Sequence, residues 1–111
     1  MDCIFCKIVA GEMPSEKVYE DELICAFRDI NPMAPVHVLV IPKEHIESAA
    51  GITESHAGLM GRIWTKIPEI AQNEGVAQYR VVTNTGPDAG QVIFHLHFHI
   101  VGGRKLARAF G

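Results

Sequence analysis

The chain has 111 residues, 48% of them hydrophobic, six histidines and a formal net charge of −3, which predicts one domain over residues 1–111 with a core of its own. That charge excludes the basic face of sequence-independent nucleic-acid binders, no stretch approaches the ~20 apolar residues of a membrane span, and the Met1-Asp2-Cys3 start lacks a secretion signal. A cytoplasmic location without nucleic-acid or membrane partners is expected, and the three cysteines, two of them spaced Cys3-x-x-Cys6, suit a reduced, metal-binding pair better than a disulfide framework.

In chain order, Ile4, Phe5, Ile8 and Val9 predict a short helix over residues 2–9, ended by Gly11 and Pro14. Lys17–Glu20 and Leu23–Arg28 read as a hairpin about Asp21-Glu22, with Cys25 in the core. Asp29-Ile30-Asn31-Pro32 breaks the run. Val36–Ile41 is the clearest strand, interrupted only by His37 and closed by Pro42. From Ile52 to Asn73 apolar residues recur at helical spacing, with Thr53 as N-cap and Gly75 as stop. Pro68 lies inside that stretch and predicts a kink or break near Thr65–Ile67. His56 reads as a satisfied histidine without chemistry of its own. Tyr79–Thr83 is a further strand, and Asn84–Gly90 a tight loop leading to the stretch Phe94-His95-Leu96-His97-Phe98-His99-Ile100, which Gly102-Gly103 ends.

In that last stretch an extended backbone places His95, His97 and His99 on one face and Leu96 and Phe98 on the other. Three alternating imidazoles offer no packing advantage over Val or Thr, and each needs a partner if buried. Such a row suits either transition-metal ligation or nucleophilic and acid–base chemistry near neutral pH. The spacing of alternate side chains, roughly 6.5 to 7 Å, is too wide for three rings to share one ion. The preceding loop is rich in Gly86 and Gly90, which let backbone N–H groups approach an oxyanion. The loop favours phosphate. His37, in an apolar strand, needs a partner of its own.

Gly90-Gln91-x-x-x-His95-x-His97-x-His99 followed by Gly102-Gly103-Arg104 resembles the signature of the histidine triad (HIT) nucleotide-binding family, in its Hint-like branch. Cys3-Ile4-Phe5-Cys6, Ala26-Phe27-Arg28-Asp29-Ile30-Asn31-Pro32 and Ala34-Pro35-Val36-His37-Val38-Leu39-Val40-Ile41-Pro42-Lys43-Glu44-His45-Ile46 follow the same order and spacing. The resemblance implies an α+β fold with an antiparallel sheet of about five strands, one long helix and a short N-terminal helix, assembled as a homodimer. It implies a purine nucleoside phosphoramidase-like hydrolase acting on purine nucleoside monophosphate conjugates. His97 would attack phosphorus, His99 would bond the phosphate or the departing group, and His37 would set the tautomer and charge of the row. Asn84 and the backbone of Gln91 would hold phosphate oxygens, Asp29 the ribose hydroxyls, and Phe5, Ile8, Phe27 and Leu39 the base.

Cys3, Cys6, His45 and His95 compose a set that fits a structural zinc, as in some HIT proteins, with no cofactor required for catalysis. One departure stands beside these matches: the branch has a hydroxyl residue where this chain has Val92, which cannot donate to a phosphate oxygen. The tail Lys105–Gly111 also lacks the branch's Trp-Pro-Pro ending. Two alternatives therefore stay open, a nucleotide-binding or adaptor protein with weak catalysis and a zinc-dependent hydrolase.

Overall fold

The computed structural model describes residues 3–108. A short helix, α1 (Ile4–Val9), precedes strands β1 (Lys17–Glu20), β2 (Ile24–Arg28) and β3 (Val36–Pro42), a long helix α2 (Ala57–Asn73), and strands β4 (Tyr79–Val82) and β5 (Phe98–Gly102). The strands form one antiparallel sheet in the order β1-β2-β3-β5-β4. This is the α+β architecture expected, with five strands, one long helix and one short one. The expected start of α1 at Asp2 lies outside the described residues.

Alternation along the strands decides which face each residue serves. Ile24, Ala26, Val38, Val40, Phe98 and Ile100 pack against Ile63, Ile67, Ile70 and Ala71 of α2. Cys25, Phe27, Leu39 and Ile41 point the other way and meet Phe5 and Ile8 of α1. Because α1 is only six residues long, it covers just part of this second face, and the histidines occupy what remains.

Local chemistry fixes the joints. Asp21 Oδ1 accepts the N–H groups of Leu23 (2.8 Å) and Ile24 (2.9 Å), closing the β1–β2 hairpin. Its Oδ2 accepts from Tyr19 (2.7 Å) and from Arg62 of α2 (2.9 Å), tying helix to hairpin. At Gly102 no side chain fits, since a Cβ there would lie 2.9 Å from the Gln78 carbonyl oxygen.

Three sequence expectations need correction. The long helix is preceded by separate 3-10 turns at Ala49–Gly51 and Glu54–His56, and α2 proper begins at Ala57. His56 has the structural role expected of it, because its Nδ1 accepts the Thr53 N–H (2.9 Å) and its Nε2 meets Glu44 (3.0 Å). Pro68 does not break the helix, which runs to Asn73. Pro68 and Trp64 are exposed, so the Trp64 carbonyl that loses its helical donor lies on the solvent side, while buried Ile67 and Ile70 hold the helix down around it.

The third correction concerns the histidine stretch itself. Regular pairing with β3 starts at Phe98, opposite Val40, so His95 and His97 precede the strand. Two residues before Phe98, Leu96 would face Pro42, which has no N–H for a ladder. Leu96 N–H instead donates to the Ile46 carbonyl (2.6 Å). The alternation nevertheless persists: Leu96 and Phe98 are in the α2 core, and the imidazoles are not.

Candidate functional site

Backbone carbonyls assign the tautomers of the first two rings of the row. His95 Nε2 lies 2.8 Å from the Pro42 carbonyl oxygen and must donate to it, which leaves a lone pair on Nδ1. That nitrogen faces Cys3 Sγ (3.4 Å), Cys6 Sγ (3.6 Å) and His45 Nδ1 (3.2 Å), with Cys6 Sγ 3.3 Å from His45 Nδ1. A tetrahedron with metal bonds of 2.0 to 2.3 Å has edges of about 3.3 to 3.8 Å. The donor set and its spacing therefore suit one tetrahedral ion. Cys3 is the N-cap of α1 and its sulfur accepts the Cys6 N–H (3.3 Å), so the helix start presets both sulfurs. Burial pushes the His95 pKa down, against the pull of the Pro42 hydrogen bond, and keeps the ring neutral as a ligand must be.

His97 is turned the other way. Its Nδ1 lies 2.7 Å from the His95 carbonyl oxygen and donates to it, so Nε2 carries the free lone pair. Thr83 Oγ1 donates to the His97 carbonyl (2.8 Å), and the Phe5 ring meets the imidazole edge-on at 5.2 Å. The result is a buried imidazole with a fixed tautomer and one nitrogen uncommitted.

His99 and His37 form a pair on the far side. Met33 N–H donates to His37 Nδ1 (3.1 Å), which puts the His37 proton on Nε2 and directs it at His99 Nδ1 (2.9 Å). His99 then keeps its own proton on Nε2, and the two rings make a one-way chain of donors. Burial pushes His99 down to about 4, with His97 and His37 adding to the drop and Asp29 opposing it. Burial lowers His37 as well, again against Asp29. Both rings are neutral at pH 7. Asp29, His37 and His99 also lie close enough to hold a cation, but the Met33 N–H keeps a proton on the His37 nitrogen that such an ion would need.

The remaining sequence candidates divide. Phe5, Ile8, Phe27 and Leu39 come together as one buried cluster. Asp29 Oδ1 accepts the Asn31 N–H (2.8 Å), the turn that breaks the chain after β2, while Oδ2 stands 3.5 Å from His37 Nε2. Asn84 lines a cavity of about 340 Å³ together with His37 and His99. Gln91 does not offer its backbone N–H to a ligand in this structure, because that group donates to the Gly86 carbonyl (3.0 Å). Its buried side chain accepts from Gly86 N–H (2.8 Å) and donates to the carbonyls of Glu47 (2.7 Å) and Ile93 (3.0 Å), so it is the brace of the loop. Val92 is 83% exposed and lines a different cavity, about 510 Å³, beside Cys3 and His45. Sequence reasoning missed Met33, Thr83 and the Pro42 carbonyl. Two of these act through backbone atoms, which side-chain identity does not reveal, and a lone threonine at a strand end gave no signal.

A model of the HIT domain matches residues 10–106. The chain belongs to the histidine triad (HIT) family. Among its relatives, a purine nucleoside phosphoramidase of Escherichia coli is 43% identical over 107 residues, covering 95% of this chain and 90% of that one. A 14 kDa zinc-binding protein of Zea mays is 44% identical over 106 residues, covering 93% and 83%. A solved HIT family hydrolase from Clostridium thermocellum superposes with a TM-score of 0.93 at 48% identity, covering 96% of this chain and 95% of that one. The HIT match begins after α1, so Cys3 and Cys6 of the metal-capable set, and Phe5 and Ile8 of the apolar cluster, lie outside it.

Proposed function

We propose that the protein hydrolyses purine nucleoside phosphoramidates, or related nucleotidyl conjugates, through a covalent nucleotidyl-His97 intermediate. The observation that carries this reading is the His97 tautomer: the His95 carbonyl holds the Nδ1 proton, so Nε2 is a nucleophile without needing a base. The Nε2 lone pair attacks phosphorus and the phosphorus–nitrogen bond breaks. The amine leaves with a proton drawn from solvent, and attack of water on the phosphoryl-imidazole returns one. His99 Nε2–H bonds the phosphate or the departing nitrogen, held in that tautomer by His37 and Met33. The Asn84 amide has a place in the adjoining cavity to bond a phosphate oxygen. Phe5, Ile8, Phe27 and Leu39 form the wall for the base, and Asp29 Oδ2 is the acceptor for ribose hydroxyls. The name of the Escherichia coli relative supports the substrate class.

The Cys3, Cys6, His45 and His95 set would hold a structural zinc, a reading supported by the donor spacing and by the name of the maize relative. Burial and the adjoining Cys3 sulfur push the Cys6 thiol up, and a divalent ion shared by both sulfurs reverses that cost. Zinc there would tie α1 to the loop after β3 and hold His95 at the foot of the row, leaving the chemistry to His97.

A homodimer fits the surfaces the fold leaves. Ile63 and Ile67 are used in the protomer's own core, whereas the outer edge of β4 pairs with no other strand among the described residues and Trp64 is half exposed. The test of the chemical reading is a single-turnover reaction with an adenosine phosphoramidate, quenched and mapped by mass spectrometry. Adenylate on His97 is expected. Turnover with adenylate on another residue, or turnover surviving His97→Ala, sinks the mechanism. Tight nucleotide binding without adduct would favour the binding-protein alternative.

A further inference from the structure

Half of the ten Lys and Arg side chains of this protein are paired with acidic groups. Lys17, Arg28, Lys43, Arg62 and Lys66 each pair with a carboxylate. Arg80 and Arg104 do not. Arg80 donates to the Ala107 carbonyl (2.6 Å), and Arg104 to the carbonyls of Met33 (2.8 Å) and Lys105 (3.0 Å), with no acidic partner for either among the described residues. Both line the cavity of about 340 Å³ onto which His99 opens. In a chain of net charge −3, two uncompensated guanidinium groups converging on one cavity create a local positive field.

The position of the cavity says what it would receive. It is lined by His99 and Asn84, but by none of the apolar cluster around Phe5 and Phe27. It therefore lies beside His99 on the side of the histidine row away from that apolar cluster. Val82, Val101 and Leu106 supply apolar wall between the two arginines. Carbonyl bonds use one or two of the five donors of each guanidinium and leave others for a ligand. The same bonds hold the segment after β5 across the cavity and fix the guanidinium groups at its rim.

We propose that this cavity is a leaving-group subsite for a short apolar chain ending in an oxyanion, recognised by Arg80 and Arg104. The inference rests on the phosphoramidase reading for its placement, and on the arginines for its charge preference. A carboxylate or a second phosphate would satisfy the same donors.

The test measures binding without turnover. Adenosine 5′-(2-carboxyethyl)phosphonate, whose carbon replaces the scissile nitrogen, is compared with its carboxamide by calorimetry. The carboxylate should bind roughly tenfold more tightly or better, as charge-assisted bonds allow. R80Q/R104Q should erase that ratio, and R80K/R104K, which keeps both charges, should retain most of it. ADP distinguishes the two sources of charge: a gain confined to ADP over AMP assigns the anion as phosphate, and a gain confined to the carboxylate assigns it as carboxylate. Equal binding of carboxylate and carboxamide with no ADP gain, or a ratio that survives R80Q/R104Q in folded protein, overturns the proposal. Failure of the phosphoramidase reading shows separately, as absent turnover of the neutral phosphorus–nitrogen conjugates.

Discussion

The first two rings of the histidine row are the same residue type in the same alternating pattern, and they are held by opposite nitrogens. At His95 the Pro42 carbonyl takes the Nε2 proton, so Nδ1 turns inward to two sulfurs and a second imidazole. At His97 the His95 carbonyl takes the Nδ1 proton, and Nε2 is left over. His99 differs again, because another imidazole donates to its Nδ1 and leaves it a donor at Nε2. A histidine's role is thus set by the group that claims its other nitrogen, and here that group is often backbone.

The sharpest way to break this contrast is to remove one ring at a time. His97→Ala should lower turnover by about 10³-fold or more, the scale on which loss of a nucleophile registers, and should abolish the adduct while the protein keeps its fold. His95→Ala should instead lower the melting temperature and leave an adduct on His97 in the protein that remains folded. An adduct lost equally in both variants would mean that the row acts as one catalytic unit. His37→Ala belongs between these, with kcat down by roughly 10- to 10²-fold, the scale of general acid–base contributions, because His99 loses the donor that fixes its tautomer.

The metal-capable end gives a smaller effect of a different kind. Chelation, or Cys6→Ser, should lower the melting temperature by about 5 to 15 °C, which corresponds to a loss of a few kcal/mol in a domain of this size. The rate of adduct formation measured below the transition should not change. If chelation stopped adduct formation without altering the melting curve, the ion would belong to the chemistry, and the zinc-dependent hydrolase would replace the present reading.

How much of this was legible depends on what the sequence encodes. The elements were legible wherever side-chain pattern decides them: β1 was placed at its observed bounds, and β2, β3 and β4 came within a residue at one end. The separate surroundings of His95, among Cys3, Cys6 and His45, and of His97 were legible too, but only through the family's motifs. Alternation alone gave three equal imidazoles. What could not be read were events governed by backbone groups. Pro42 stops the β3–β5 ladder because it lacks an N–H, yet its carbonyl orients His95. The Gln91 N–H, expected on phosphate, is taken by Gly86. Pro68 was read as a kink or a break from its own chemistry, and the exposure of Trp64 that lets the helix run on unbroken is a tertiary fact.

The finest distinction concerns charge on the His37–His99 pair. His99 is pushed down to about 4, chiefly by burial, against about 6.5 in an unfolded chain. Between those values the unfolded state binds the proton and the native state does not, so stability falls as pH drops from about 6.5 towards 4 and levels off below. Two substitutions should move His99 in opposite directions. His37→Ala removes a neighbour that lowers it and uncovers the ring, so the pKa should rise. Asp29→Asn removes the group that opposes the drop, so it should fall further. Imidazole NMR titrations of the three proteins would show the order Asp29→Asn below wild type below His37→Ala. If His99 moved the same way in both variants, loosened packing and not charge would be setting it, and the directed donor chain from Met33 through His37 would lose its electrostatic basis.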